Sequence, residues 1–343
     1  MANSWDGVDL RNMIVEHEKL SFIQRYACLI GRFAAFDITA PNAGLRGEVE
    51  KSIMAFTAEQ LAGNCSFLMS IRFLARQTRG MFDAGPRLAR LLASHQRWLL
   101  TQTAYALHLE YDPRDPTSGF TAVRLTGRIT AHKVASRNTV LAFIEELYTY
   151  RFITHTPGDE RRRPRHFEPA IVSHQAMFTW IHVNLAALDL LDGGERAAFF
   201  QANPALMKLV QPRIARHCLE DAAWREPPEQ VAQFLWTEAG GLVVDNFIAR
   251  MEPEETEAGK FLVGRVETRA LAADFMMSRT HLQRLLAKAA QRGCVGWHDE
   301  PRKTRLWISQ GFVEEYSAWQ AVKFAYVDEA FEWAKARIEE LAV

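Results

Sequence analysis

Arg279, Thr280, His281, Gln283, Arg284 and Lys288 follow Ser278 at spacings that leave one side of a 3.6-residue period polar and cationic. Guanidinium groups offer paired donors that match the two acceptors on a guanine edge, and a carboxamide pairs in the same bidentate way with adenine. Ser278 can accept a hydrogen bond from the open amides of a helix start, which places the set in the first turns of a helix. Leu282, Leu285, Leu286 and Ala289 recur behind them as a buried stripe. A basic arm follows: Asp299 to Pro301 reads as a turn, and Arg302, Lys303 and Arg305 return into Leu306, Trp307 and Ile308. From Ser278 through Arg305 seven Lys or Arg stand against two acids, in a chain whose formal net charge is zero. Local segregation of this kind is what phosphate contact requires.

The same order of features stands 142 positions earlier. Thr126 to Ile153 aligns without a gap on Thr268 to Val295, with identities at Thr126/Thr268, Ala131/Ala273, Ser136/Ser278 and Arg137/Arg279. The apolar pattern coincides more fully, at Ile129/Leu271, Val134/Met276, Val140/Leu282, Phe143/Leu285, Ile144/Leu286, Phe152/Cys294 and Ile153/Val295. Each copy therefore predicts a helix-turn-helix with Ala131 or Ala273 as the small residue at the helix crossing, then a hairpin. In the first copy the outward face holds Arg137, Asn138 and Thr139, then Leu141, Ala142, Glu145 and Glu146, whose acids would repel phosphate. Its hairpin arm carries Arg161, Arg162, Arg163, Arg165 and His166 beyond Pro157-Gly158-Asp159. From Arg128 through His166 eight bases stand against four acids; the compensating acids lie in the last helix, among them Glu314, Glu315, Asp328, Glu329 and Glu332.

The elements that must hold these faces are helical. Pro86 to Leu109 and Pro228 to Met251 read as lead-in helices at the same offset, the second ending in a Glu252-Pro253-Glu254-Glu255 turn, and Ala170 to Leu191 and Gln310 to Leu341 as the helices behind the hairpins. At 343 residues, 48% hydrophobic and 24% charged, the chain suits two or three globular domains. Its start has no basic-then-apolar leader pattern and no run of apolar residues is long enough to span a bilayer, so a cytoplasmic protein without a membrane partner is expected. Cys28, Cys65, Cys218 and Cys294 show no metal-ligand spacing and read as reduced and mostly buried. No P-loop, G-x-G-x-x-G or G-x-S-x-G occurs, so neither an enzyme nor a cofactor is expected.

Ser136-Arg137-Asn138-Thr139-Val140 with Asp159-Glu160-Arg161-Arg162, and Ser278-Arg279 with Arg292-Gly293 and Ile308-Ser309-Gln310-Gly311, resemble the multiple-antibiotic-resistance regulator (MarR) superfamily of winged helices. Arg151 stands where that family has glycine, Glu168-Pro169 replaces its entry to the last helix, and Pro301 interrupts the second hairpin tip. The resemblance implies a mainly α chain of tandem winged helix-turn-helix domains with small β-hairpin wings. A helical N-terminal extension would occupy 1–80, the first winged helix 81–194, a helical connector 195–225, and the second winged helix with its long C-terminal helix 226–343. It also implies a DNA-binding transcriptional regulator acting as an intrachain pseudo-dimer on double-stranded DNA. A small aromatic effector is implied as well, for which Trp98, Tyr105, Phe178, Trp180 and Trp236 are the pocket residues weighed against plain core packing. A winged-helix scaffold for protein contacts is the competing reading, favoured by Glu145 and Glu146.

Overall fold

The computed structural model describes residues 55–86, 93–156, 164–257, 259–299 and 302–338. These residues are mainly helical, with fourteen α-helices and two small antiparallel sheets. Of the expected N-terminal extension, the described part forms α1 (Ala58–Ala62), opened by a capping box between Thr57 and Gln60, and α2 (Phe67–Ala84). Cys28 and the rest of that extension lie outside the described residues. No helix among the described residues is long and apolar enough to cross a membrane.

The first block runs α3 (His95–Leu109), α4 (Ala122–Ala131), α5 (Arg137–Thr149), β1 (Ile153–His155), β2 (Phe167–Pro169) and α6 (Ile171–Asp192). Next come α7 (Arg196–Ala202), α8 (Met207–Glu220) and α9 (Ala222–Arg225). The second block runs α10 (Glu229–Leu235), α11 (Gly240–Arg250), β3 (Glu252–Glu257), β4 (Lys260–Arg265), α12 (Thr268–Asp274), α13 (Arg279–Gln291), β5 (Val295–Trp297), β6 (Arg305–Ser309) and α14 (Gln310–Lys335). Helices α5 and α13 start and end 142 residues apart, and so do β1 and β5. Between helix and strand, Arg151 and Gly293 both take left-handed backbone, φ 58° and 72°. Glycine does so without strain, whereas an L side chain such as Arg151 costs roughly 1–2 kcal/mol there.

The ungapped register fails in the turn before α13. Val134 N–H bonds the Ile129 carbonyl, and its structural counterpart is Met277 bonding Ala272, an offset of 143. The second turn is one residue shorter, so Met276, matched by sequence to buried Val134, is exposed with φ 52°. Ala131 and Ala273 are also exposed; the helix crossings are packed instead by Ile129 in one block and by Leu271 and Ala272 in the other. Two further expectations are corrected. The Glu252–Glu255 turn is part of strand β3, which pairs with β4 in the sheet order β3-β4-β6-β5, and Pro228–Met251 is two helices rather than one. Gly240 is required at that break, because a Cβ would lie 2.0 Å from the Phe234 carbonyl oxygen.

The segment expected as a connector is core. Leu206, Val210, Ile214 and Cys218 are fully buried, and α8 packs against both α3 and α14. Helix α14 also meets α1 and α6, while α2 meets α6 and α11. One buried cation ties these layers: Arg196 Nε donates to Asp328 Oδ1 at 2.7 Å and its remaining nitrogens reach Asp189 and Asp192. Asp328, counted from sequence among the compensating acids of the last helix, is thus fully buried and already neutralised.

Candidate nucleic-acid interface

Ser278 opens α13 and its Oγ accepts the His281 N–H at 3.1 Å; Ser136 does the same for Thr139 at 3.2 Å. These caps fix where each helix begins and therefore which side chains face outward. On α13, Leu282, Leu285, Leu286 and Ala289 are buried while Arg279, Thr280, His281, Gln283, Arg284 and Lys288 are all exposed. The two sets occupy opposite sides of one helix, as the 3.6-residue period demands.

The hairpin stands against the same face. Arg302, Lys303 and Arg305 are exposed, and the turn that presents them is held by Asp299. Its carboxylate accepts the N–H groups of Thr304 at 2.9 Å and Arg305 at 2.8 Å and the Thr304 hydroxyl. Those bonds, the hydroxyl's foremost, hold the Asp299 carboxyl down at about 2. Lys303 itself takes left-handed backbone, φ 52°. Between hairpin and helix lies an open cleft of about 890 Å³, on which Arg265, Arg269, Arg279, Arg302 and Lys303 converge. Trp307 forms part of its wall and sits over Gly296, where a Cβ would be 2.1 Å from the indole. Arg265, Arg269, Arg279, Arg284, Lys288, Arg302 and Arg305 form no ion pair among the described residues, so their charge is available to an outside anion. Arg265 and Arg269 were not expected in this set. They reach the cleft through β4 and the start of α12, and only the apolar run Phe261-Leu262-Val263 hints at that strand in the sequence.

The first block is less open. Arg137, Asn138 and Thr139 are exposed at the start of α5, but the Thr139 hydroxyl is engaged with Ser136 Oγ at 2.9 Å. Glu146, expected on the outward face, is turned toward α3 and pairs with Arg97 at 2.8 Å, while Glu145 is exposed. Arg128 is taken up by Glu110 at 2.6 Å. His166 Nε2 lies 3.0 Å from the Ser118 carbonyl and its own carbonyl accepts the Thr156 N–H, so it braces the hairpin base. Arg165 is exposed; Arg161, Arg162 and Arg163 lie outside the described residues.

Of the aromatic residues considered for a pocket, Trp98, Tyr105 and Trp180 line a partly open, largely apolar pocket of about 250 Å³. Phe178 does not: it stacks on Phe200 with ring centres 4.8 Å apart. Trp236 is exposed and edges against His95 from outside. No protein-family model, no curated protein and no solved structure matches this chain.

Proposed function

We propose that the chain is a DNA-binding regulator built as an intrachain pseudo-dimer of MarR-like winged helices, in which the second block reads base edges and the first mainly positions the duplex. The observation that carries this reading is the cleft where five cationic side chains meet beside the exposed face of α13. Arg265, Arg269, Arg279 and Arg302, which form no ion pair among the described residues, are available for phosphate, and Arg279, Gln283 and Arg284 project within the first turns after Ser278, where a recognition helix meets the major groove. The first block, with Glu145 exposed, Thr139 committed to its cap and Tyr148 and Tyr150 exposed beyond it, favours a protein contact on that side as the second reading.

The test is a comparison of two duplexes, one selected from a random pool by binding to the full chain and one scrambled. Arg284→Ala should weaken the selected duplex by about tenfold or more, the size of one lost bidentate base contact, and barely change the scrambled one. An equal loss on both would reduce Arg284 to a phosphate contact and remove the claim of sequence reading. Arg302→Ala with Arg305→Ala should act the other way. Both duplexes should weaken alike, and the slope of log affinity against log salt should flatten by about 2, roughly 0.9 for each phosphate released. An unchanged slope would take the hairpin out of the interface.

A further inference from the structure

Arg72, Arg76 and Arg79 stand on α2 at steps of four and three, so they share one face of that helix. Each reaches the second block. Arg72 is buried and donates from Nη2 to the Met251 carbonyl at 2.8 Å, and Arg76 donates from Nε to the Ala249 carbonyl at 3.3 Å, both at the C-terminal end of α11. The open carbonyls of a helix end carry partial negative charge, which favours cations there. Arg79, paired with Asp83 on its own helix at 2.9 Å, lies 3.7 Å from the Asp274 carboxylate at the end of α12 and 5.2 Å from the centre of the Phe275 ring. Phe82 meets the same ring edge-on, with centres 5.4 Å apart, and both phenyl groups are buried. Phe275 stands three residues before Ser278, the cap of α13.

Helix α2 also packs on α6, so it joins the last helix of the first block to the turn that opens α13 in the second. The turn before α5 is held differently, from within its own block, where Gln96 on α3 donates to the Val134 carbonyl at 2.8 Å. We infer that α2 is a strut, in which Arg72, Arg79 and Phe82 are positioning residues that hold α13 at one distance and angle from α5, so that the chain accepts a duplex whose two half-sites have one spacing only. Exposed ion pairs alone hold little, so the buried members, Arg72 on its carbonyl and Phe82 on Phe275, carry the joint and Arg79 orients it. One added base pair shifts the second half-site by about 3.4 Å and turns it by roughly 35°. A helix pinned in this way cannot follow without breaking those contacts. The spacing rule rests on the DNA-binding reading; the strut rests on the contacts alone.

Two measurements on the full chain test it. Spin labels at Asn138→Cys and Thr280→Cys, with Cys28 and Cys65 changed to serine, report the distance between the two recognition helices without DNA. On the unlabelled chain, the selected duplex is compared with copies whose spacer is one base pair longer or shorter. The intact joint should give one narrow distance distribution and lose about tenfold or more in affinity on either altered spacer. Arg72→Met with Phe82→Ala should broaden the distribution and bring that loss well below tenfold. A distribution as narrow in this variant as in the unmodified chain overturns the inference whatever the DNA does. So does a spacer penalty that survives in the variant, because a merely less stable chain would bind every spacer less well by one factor. If no duplex can be selected, the DNA-binding reading fails, while a broadened distribution still upholds the strut. Should the double variant not fold, Arg79→Asp, which would face Asp83 and Asp274, decides: it should broaden the distribution, and adding Asp274→Arg should narrow it again. No broadening with the single change overturns the inference.

Discussion

Arg279→Glu combined with Arg284→Glu is expected to reduce DNA affinity by roughly 100-fold or more at moderate salt, since two side-chain contacts of about 1–3 kcal/mol each are lost and two acids then face the phosphates. Arg137→Glu with Asn138→Asp, at the start of the first block's α5, should cost closer to about tenfold, because only one cation is reversed and Glu145 already stands on that face. Neither pair should unfold the chain. All four positions are exposed, and acids at 137, 138 and 279 would stand in the first turn of a helix, where its dipole favours them by about 0.3–1 kcal/mol, so melting temperatures should hold or rise slightly. Affinity measured on one selected duplex for the two double variants, with melting curves alongside, decides the matter. Equal losses in both blocks would remove the proposed division of labour, and no loss in either would move the interface away from both helices.

The parts legible in the sequence are those fixed by neighbours along the chain. The buried stripe Leu282, Leu285, Leu286 and Ala289, the caps at Ser136 and Ser278, and the exposure of the α13 cations follow from a 3.6-residue period and one hydroxyl, and each lies where that period puts it. What stayed hidden depends on distant partners or on a single inserted residue. A one-residue difference in turn length moves Met276 out and Met277 in, which an ungapped alignment cannot represent. Strand β4 exists because β6, some 45 positions later, pairs with it from Lys260–Ser309 to Arg265–Arg305; local propensity alone left its partner β3 looking like a turn. Glu146 reads as an outward acid and Asp328 as one of the compensating acids, until packing brings Arg97 and Arg196 to them. Tyr316, Gln320 and Lys323 recur at helical spacing, yet polar residues on a helix face ordinarily mean solvent, and only the packing of α2, α3, α6 and α11 beside that face makes it the wall of a pocket.

Acidification should destabilise the chain through the same pocket. His95 lines it, with Nε2 placed to donate to the carbonyls of Trp224 at 3.1 Å and Arg225 at 3.2 Å, and its ring is packed among Trp98, Trp224 and Trp319. Burial pushes it down to about 4, although both carbonyls favour the charged form. An unfolded histidine titrates near 6.5, so as pH falls the unfolded chain takes up the proton first. The stability due to neutral His95 is therefore complete above about 6.5 and is lost progressively as pH drops toward 4, in total on the order of 3 kcal/mol. His108, also held at about 4 by burial and by the nearby His174, adds to the trend in the same direction. Urea unfolding at pH 7.5 and 5.0 should show the loss, and His95→Gln, which keeps an N–H donor but cannot titrate, should shrink that difference by about 2 kcal/mol. Each protein is compared with itself at two pH values, so a lower starting stability in the variant does not blur the result. If the variant does not fold, the ring proton shifts of His95 in the unmodified chain give the same information, since a midpoint near 6.5 would mean that the ring is solvated and that the aromatic wall around it is open to water.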